Sequence, residues 1–160
     1  LQQLTPEINM PNGKMTQVGN SRNQLYGPRK LLVCGYAPKD QERLLNLLDE
    51  EKLEALPVIF ISKGNQGRTL QELLAFEDYS GLDQKSSLPR TLIMSGLTEK
   101  ELHQLMIAYR KSGMAPQMWA TLTPISENWV LRNLLKELQA ENAAMRRRQA
   151  GQNARIHDPG

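Results

Sequence analysis

Cysteine is almost absent from this chain. Cys34 stands alone, so no intramolecular disulfide can form, and the usage fits a reducing compartment. No apolar run approaches the ~18–20 residues that a membrane-spanning helix needs. No basic-then-apolar start reads as a secretory leader. A cytoplasmic protein without a membrane partner is the expectation. The chain opens on Leu1, so an upstream start or a processed end stays open, with Met15 as the alternative. The two histidines, His103 and His157, give no ligand spacing, so neither a metal nor another cofactor is expected. The glycines form neither a dinucleotide fingerprint nor a phosphate-binding P-loop. Aromatics make up only 5% of residues, and both tryptophans, Trp119 and Trp129, fall close together. The net charge of +3 permits weak attraction to polyanions without announcing it. With no catalytic constellation in sight, the reading leans away from an enzyme.

What is present is organised in three parts. Residues 1–27 carry turn formers such as Pro11-Asn12-Gly13 with little to bury between them, and read as a disordered polar arm. Residues 28–145 read as a single α/β domain. Residues 146–160 read as a basic flexible tail that starts with Arg146, Arg147 and Arg148.

Within the domain, Leu31–Cys34 and Val58–Ile61 are continuous apolar runs, the pattern of strands buried on both faces. Pro38 suits the first turn of a helix whose face is Leu44, Leu45, Leu47 and Leu48. Thr69 with Glu72, and Thr98 with Glu101, have capping-box spacing. Residues 78–88 read as a polar linker. Trp119–Thr123 reads as a fourth strand, and Ser126 as the cap of a last helix with stripe Leu131, Leu134, Leu135 and Leu138.

The two halves, 28–77 and 89–145, register at a constant offset of 61. Leu31 falls on Leu92, Gly35 on Gly96, Leu44 on Leu105, and Leu70, Leu73 and Leu74 on Leu131, Leu134 and Leu135. The expectation is an internal duplication of a βαβα unit. The halves then form one four-stranded, mainly parallel sheet of order 2-1-3-4 with helices packed on it. Winding that reverses between strands 1 and 3 would leave a crevice at their carboxyl ends. Gly35, Tyr36, Ser95, Gly96 and Thr98 would line it and form the candidate ligand site. The plainer reading makes each glycine a tight strand-to-helix turn. Cys34, at the end of a buried strand, reads as a small hydrophobe rather than a reactive thiol.

Trp119, Trp129, Arg146, Arg147 and Arg148 form the candidate partner-binding set. Indoles are enriched at binding surfaces, and they also serve as core. Arginines at a helix end complement its dipole and can also contact phosphates.

The segment Thr123-Pro124-Ile125-Ser126-Glu127-Asn128-Trp129, followed by Leu134-Leu135-Lys136-Glu137-Leu138, resembles a bacterial family described as a domain of unknown function (thirty-seven eighty-three). The resemblance covers about residues 90–141, and Ser126 stands where the family pattern has Asn. It implies a bacterial source and no assigned activity, and brings no catalytic residues with it.

Three functions remain open at this point. The leading one is a non-enzymatic module that binds a protein partner. The second is association with nucleic acid or the ribosome through Lys14, Arg22, Arg29, Lys30 and Arg146 to Arg148. The third is a small ligand or nucleotide held near Gly35 and Gly96.

Overall fold

The computed structural model of the protein describes residues 2–3 and 23–156, with side chains for 23–151. Five strands form one sheet: β1 (Gln2–Gln3), β2 (Lys30–Cys34), β3 (Val58–Ile61), β4 (Thr91–Ser95) and β5 (Met118–Thr121). Among the described residues, four helices pack on it: α1 (Pro38–Glu50), α2 (Leu70–Leu74), α3 (Glu99–Lys111) and α4 (Leu131–Ile156). Short 3-10 turns at Lys63–Asn65 and Ser126–Asn128 precede α2 and α4.

The spatial order is β1-β5-β4-β2-β3, which contains the expected 2-1-3-4 arrangement of the four longer strands. Strands β2 and β3 are parallel, as are β4 and β5. The central pair, β2 and β4, is antiparallel, which corrects the expected mainly parallel sheet. Apolar runs on both faces mark a strand as central but carry no information on its direction.

Both faces of the sheet are covered. Leu31, Val33, Val58, Phe60, Leu92, Met94 and Trp119 pack under α1 and α3. Leu32, Cys34, Ile59, Ile61, Ile93 and Ala120 pack under Leu70, Leu73, Leu131, Leu134 and Leu138 of α2 and α4. Period-2 alternation along each strand therefore feeds two cores. That is why the strands read as unbroken apolar runs.

Parts of the arm and tail carry regular structure. Gln2–Gln3 pairs antiparallel with β5, and Leu25 N donates to Leu97 O at 2.8 Å, so parts of the arm are built into the fold. Residues 4–22, with Lys14 and Arg22, and His157 in the tail lie outside the described residues. Residues 146–156, read as flexible, are helical and continue α4. The linker is not idle either. Tyr79 N donates to Val58 O and Phe60 N to Ser80 O, both at 2.8 Å, which occupies the outer edge of β3. An edge so occupied is no longer a template for another chain.

Both capping boxes form as read: Glu72 N donates to Thr69 Oγ1 and Glu101 N to Thr98 Oγ1, and in each the threonine N donates back to the carboxylate. Ser126 does not cap the last helix, which starts at Leu131. Its hydroxyl instead accepts from Thr123 N at 2.9 Å, closing the turn that follows β5. A Thr-x-x-Ser pair can serve a turn as well as a helix start, because both use the same side-chain-to-backbone bond.

Candidate functional site

The antiparallel centre decides where the predicted site residues go. Lys30 lies opposite Ser95 and Cys34 opposite Thr91, so the carboxyl ends of β2 and β4 lie at opposite ends of the strand pair. Gly35 with Tyr36, and Gly96 with Thr98, therefore do not share a crevice. The single ligand site expected at the two carboxyl ends is not formed. Each glycine has a positive φ, +82 and +69, and each lies against backbone. A Cβ on Gly35 would meet Leu88 O at 2.4 Å, and one on Gly96 would meet Gly27 O at 2.3 Å. These are close-approach turns. Thr98 is occupied as the helix cap, and Ser95 is buried with its hydroxyl unpaired.

The two ends are built alike. Leu32 and Ile93, which are 61 apart, pair directly at the middle of β2 and β4. Leu70 N donates to Trp129 O at 3.0 Å, and Leu131 N, 61 further on, to Arg68 O at 2.9 Å. Arg29 pairs with Glu101 at the start of α3, and Arg90 pairs with Asp40 at the start of α1. Each pair maps onto the other by the same offset. A reciprocal set of this kind is what a local two-fold rotation produces: each half supplies the arginine that neutralises an acid on the other half's first helical turn. Arg29 is bidentate, at 2.5 and 2.8 Å, and holds the Glu101 carboxyl down to about 2. An acid in the first turn is also favoured by the helix dipole.

The surroundings of the two arginines then diverge. Around Arg29, the positions equivalent to Tyr36, Tyr109 and Gln117 are Leu97, Leu48 and Leu56, all buried. Around Arg90 they are polar and bonded together. The guanidinium lies over the Tyr36 ring at 3.9 Å, and Nε donates to Tyr109 Oη at 3.0 Å. Nη1 donates to Asp40 Oδ2 at 3.0 Å. Tyr36 Oη donates to Gln117 Oε1 at 2.6 Å, and Tyr109 Oη donates to Ala115 O. Tyr109 also meets Trp119 edge-on, ring centroids 5.3 Å apart. Burial pushes the Tyr36 phenol above the ordinary tyrosine value, with the neighbouring Tyr109 adding to it, so Tyr36 acts as a neutral donor. Two donors of this cluster, Arg90 Nη2 and Gln117 Nε2, are closed to solvent and have no acceptor. Among the described residues, Ser95 Oγ is the other buried side-chain atom left so.

Arg90 and Gln117 were not candidates from sequence, since Arg90 reads as one residue of the repeated Pro-Arg-x-Leu pattern. The available signal was the comparison of halves, which replaces three leucines by two tyrosines and a glutamine. Cys34 is fully buried, and burial pushes its thiol up to about 12, so the inert reading fits. No group of three or more metal-ligating side chains occurs among the described residues.

The partner-binding candidates separate. Trp119 is core, 8% exposed. Trp129 precedes α4 rather than sitting in its first turn, and is half-buried against the second core. Beside it on the turn, Ile125 is 67% exposed. Tyr26, itself an exposed aromatic, donates to Glu127 Oε2 at 2.8 Å and so lies against the same turn. Arg146, Arg147 and Arg148 are exposed on α4, beyond Leu138, the last fully buried residue of α4 among those described.

Fold and site together define a two-layered-helix α/β domain with internal two-fold pairing and one polar end. Residues 90–145 match the family described as Domain of unknown function (DUF3783), from Arg90 through Met145, as the turn and helix pattern implied. Neither the curated proteins nor the solved structures offer a match to this chain.

Proposed function

We propose that this protein is a non-enzymatic binding module that engages a protein partner through the turn between β5 and α4. One observation carries this reading: Ile125 stands out into solvent on the turn that leads to the half-buried Trp129, and exposed Tyr26 is tied to the same turn through Glu127. A large aliphatic residue left on the surface of such a turn is a typical anchor arrangement. The equivalent turn of the first half has Gly64 at the Ile125 position and Arg68 at the Trp129 position. The exposed apolar residue is thus specific to one half and is not required by the frame. The same symmetry supports an origin by duplication, with function residing where the halves differ.

The test uses immobilised full-length protein. Wild type should retain a discrete set of cytoplasmic proteins from a bacterial extract, and Ile125→Asp should lose them without change in thermal stability. Retention of the same set by the Ile125→Asp protein would end this reading.

Nucleic-acid association is a second reading, supported by the exposed run Arg146–Arg148 on one projecting helix. Of the other cations once grouped with it, Arg29 is paired with Glu101, and Lys30 Nζ donates to Leu74 O at 2.6 Å. The reading therefore rests on the helix alone. Retention on RNA or DNA at low salt should fall when residues 146–160 are deleted, and no change removes the idea.

A further inference from the structure

The polar end of the sheet opens onto a groove of ≈ 330 Å³ between α4 and the segment that leads into β5. Its polar lining is Arg90, Gln117, Gln139, Asn142 and Arg146, and Pro116 and Met118 complete it. Gln139, Asn142 and Arg146 share one face of α4 at spacings of three and four. No aspartate or glutamate among the described residues lines the groove. Asp40 engages only Nη1 of Arg90. The charge of Arg146 has no carboxylate opposite it in the lining. Beneath the surface, Arg90 Nη2 and Gln117 Nε2 add two donors without acceptors. Unmade bonds to buried donors are costly, and both are closed to solvent, so an oxygen recovers that cost only where the Arg90 or Gln117 side chain turns toward the groove. The other groove of note, between α1 and α3, has Glu50 and Glu51 beside Arg43 and Lys111, so it favours neither sign.

We propose that the groove bounded by Arg90, Gln117 and Arg146 is a binding site for a small ligand bearing an oxyanion, a carboxylate or a phosphate. Planar guanidinium forks suit either group, and side-chain amides supply further donors. The site is independent of the Ile125 turn, because its residues lie on other elements.

The experiment is a titration of the full-length protein at low ionic strength, followed by calorimetry, with inorganic phosphate in one arm and succinate in the other. Saturable binding in the millimolar range or tighter is expected in at least one arm, and the arm that binds identifies the group. Arg146→Gln, at an exposed position that leaves the core untouched, should weaken binding about tenfold, roughly 1.4 kcal/mol. Gln117→Glu keeps the acceptor for Tyr36 but puts an acid in the groove, and should abolish binding. Arg147→Gln, outside the lining, should bind as wild type does. Absence of saturation with both probes overturns the proposal, and so does an equal loss in Arg146→Gln and Arg147→Gln.

Discussion

Replacing Gly96 by Ala tests the symmetric frame at its tightest point. The substitution adds one carbon at a φ of +69, with backbone on three sides: Gly27 O at 2.3 Å, Pro28 C at 2.6 Å and Arg29 N at 2.7 Å. None of these atoms can rotate away. The left-handed conformation costs an L-residue about 1–2 kcal/mol. Overpacking against a well-packed neighbour adds about 1–3 kcal/mol. The lower entropy of an unfolded Ala chain returns about 0.4–1 kcal/mol of that loss. The net loss is about 2–4 kcal/mol, or roughly 5–15 °C in Tm for a chain of this size. Gly113→Ala is the internal control. Its φ is +79, and a Cβ there meets nothing within 4 Å, so only the conformational cost applies, about 1 kcal/mol or less. Gly35→Ala should resemble Gly96→Ala, since Leu88 O and Arg90 Cα lie at 2.4 and 2.8 Å. Urea unfolding followed by circular dichroism measures all three. A Gly96→Ala protein no less stable than Gly113→Ala would refute the close approach between the halves.

Other expectations follow from single groups. The Glu101 carboxyl is depressed from 4.5 to about 2, first by its bond to Arg29, so its contribution is complete above its unfolded value and lost as pH falls from 4.5 toward 2. The stability gap between wild type and Glu101→Gln, from urea titrations, should be level above pH 5 and should narrow across that window; a gap independent of pH would show that the carboxylate contributes nothing by its charge. Thr98→Ala removes one capping bond and should lose about 1 kcal/mol in the same assay, while an unchanged midpoint would contradict the cap. The Cys34 thiol should resist a disulfide-exchange reagent at pH 8 in the native protein and react fully in denaturant, and rapid native labelling would disprove its burial. Acrylamide should quench Trp129 more strongly than Trp119, read from Trp119→Phe and Trp129→Phe proteins, and the reverse order would invert the assignment of core and surface.

Strands, helices and strand order were legible because hydrophobic runs and capping boxes are local, and this chain uses them plainly. Leu31–Cys34 and Leu92–Met94 read as central strands, and β2 and β4, which contain them, are central. Their direction was not legible. An offset of 61 establishes which residues are equivalent but not whether a translation or a rotation relates them. Translation would have aligned Gly35 with Gly96 at one edge; rotation separates them. The clue was in the charges. Arg29 and Arg90 each precede a strand, and Asp40 and Glu101 each open a helix, but the partner across the halves is visible only once the chain is folded. Ser126 misled because a Thr-x-x-Ser turn and a helix cap draw on the same residues. The Arg90 cluster stayed hidden because Tyr36 read as lining a crevice at Gly35 and a tyrosine on a helix face, such as Tyr109, reads as core; both are buried. What sets them apart is that their counterparts are leucines.

The reversed direction of the central pair also separates the two ends as environments. Five residues of strand, at ~3.3 Å each, put about 16 Å between the Arg29 and Arg90 ends. That is about twice the Debye length in physiological salt. A charge change on a solvent-exposed group at one end is therefore largely screened from exposed groups at the other. One frame of crossed arginine–acid pairs thus holds an apolar clasp at one end and a polar cluster at the other.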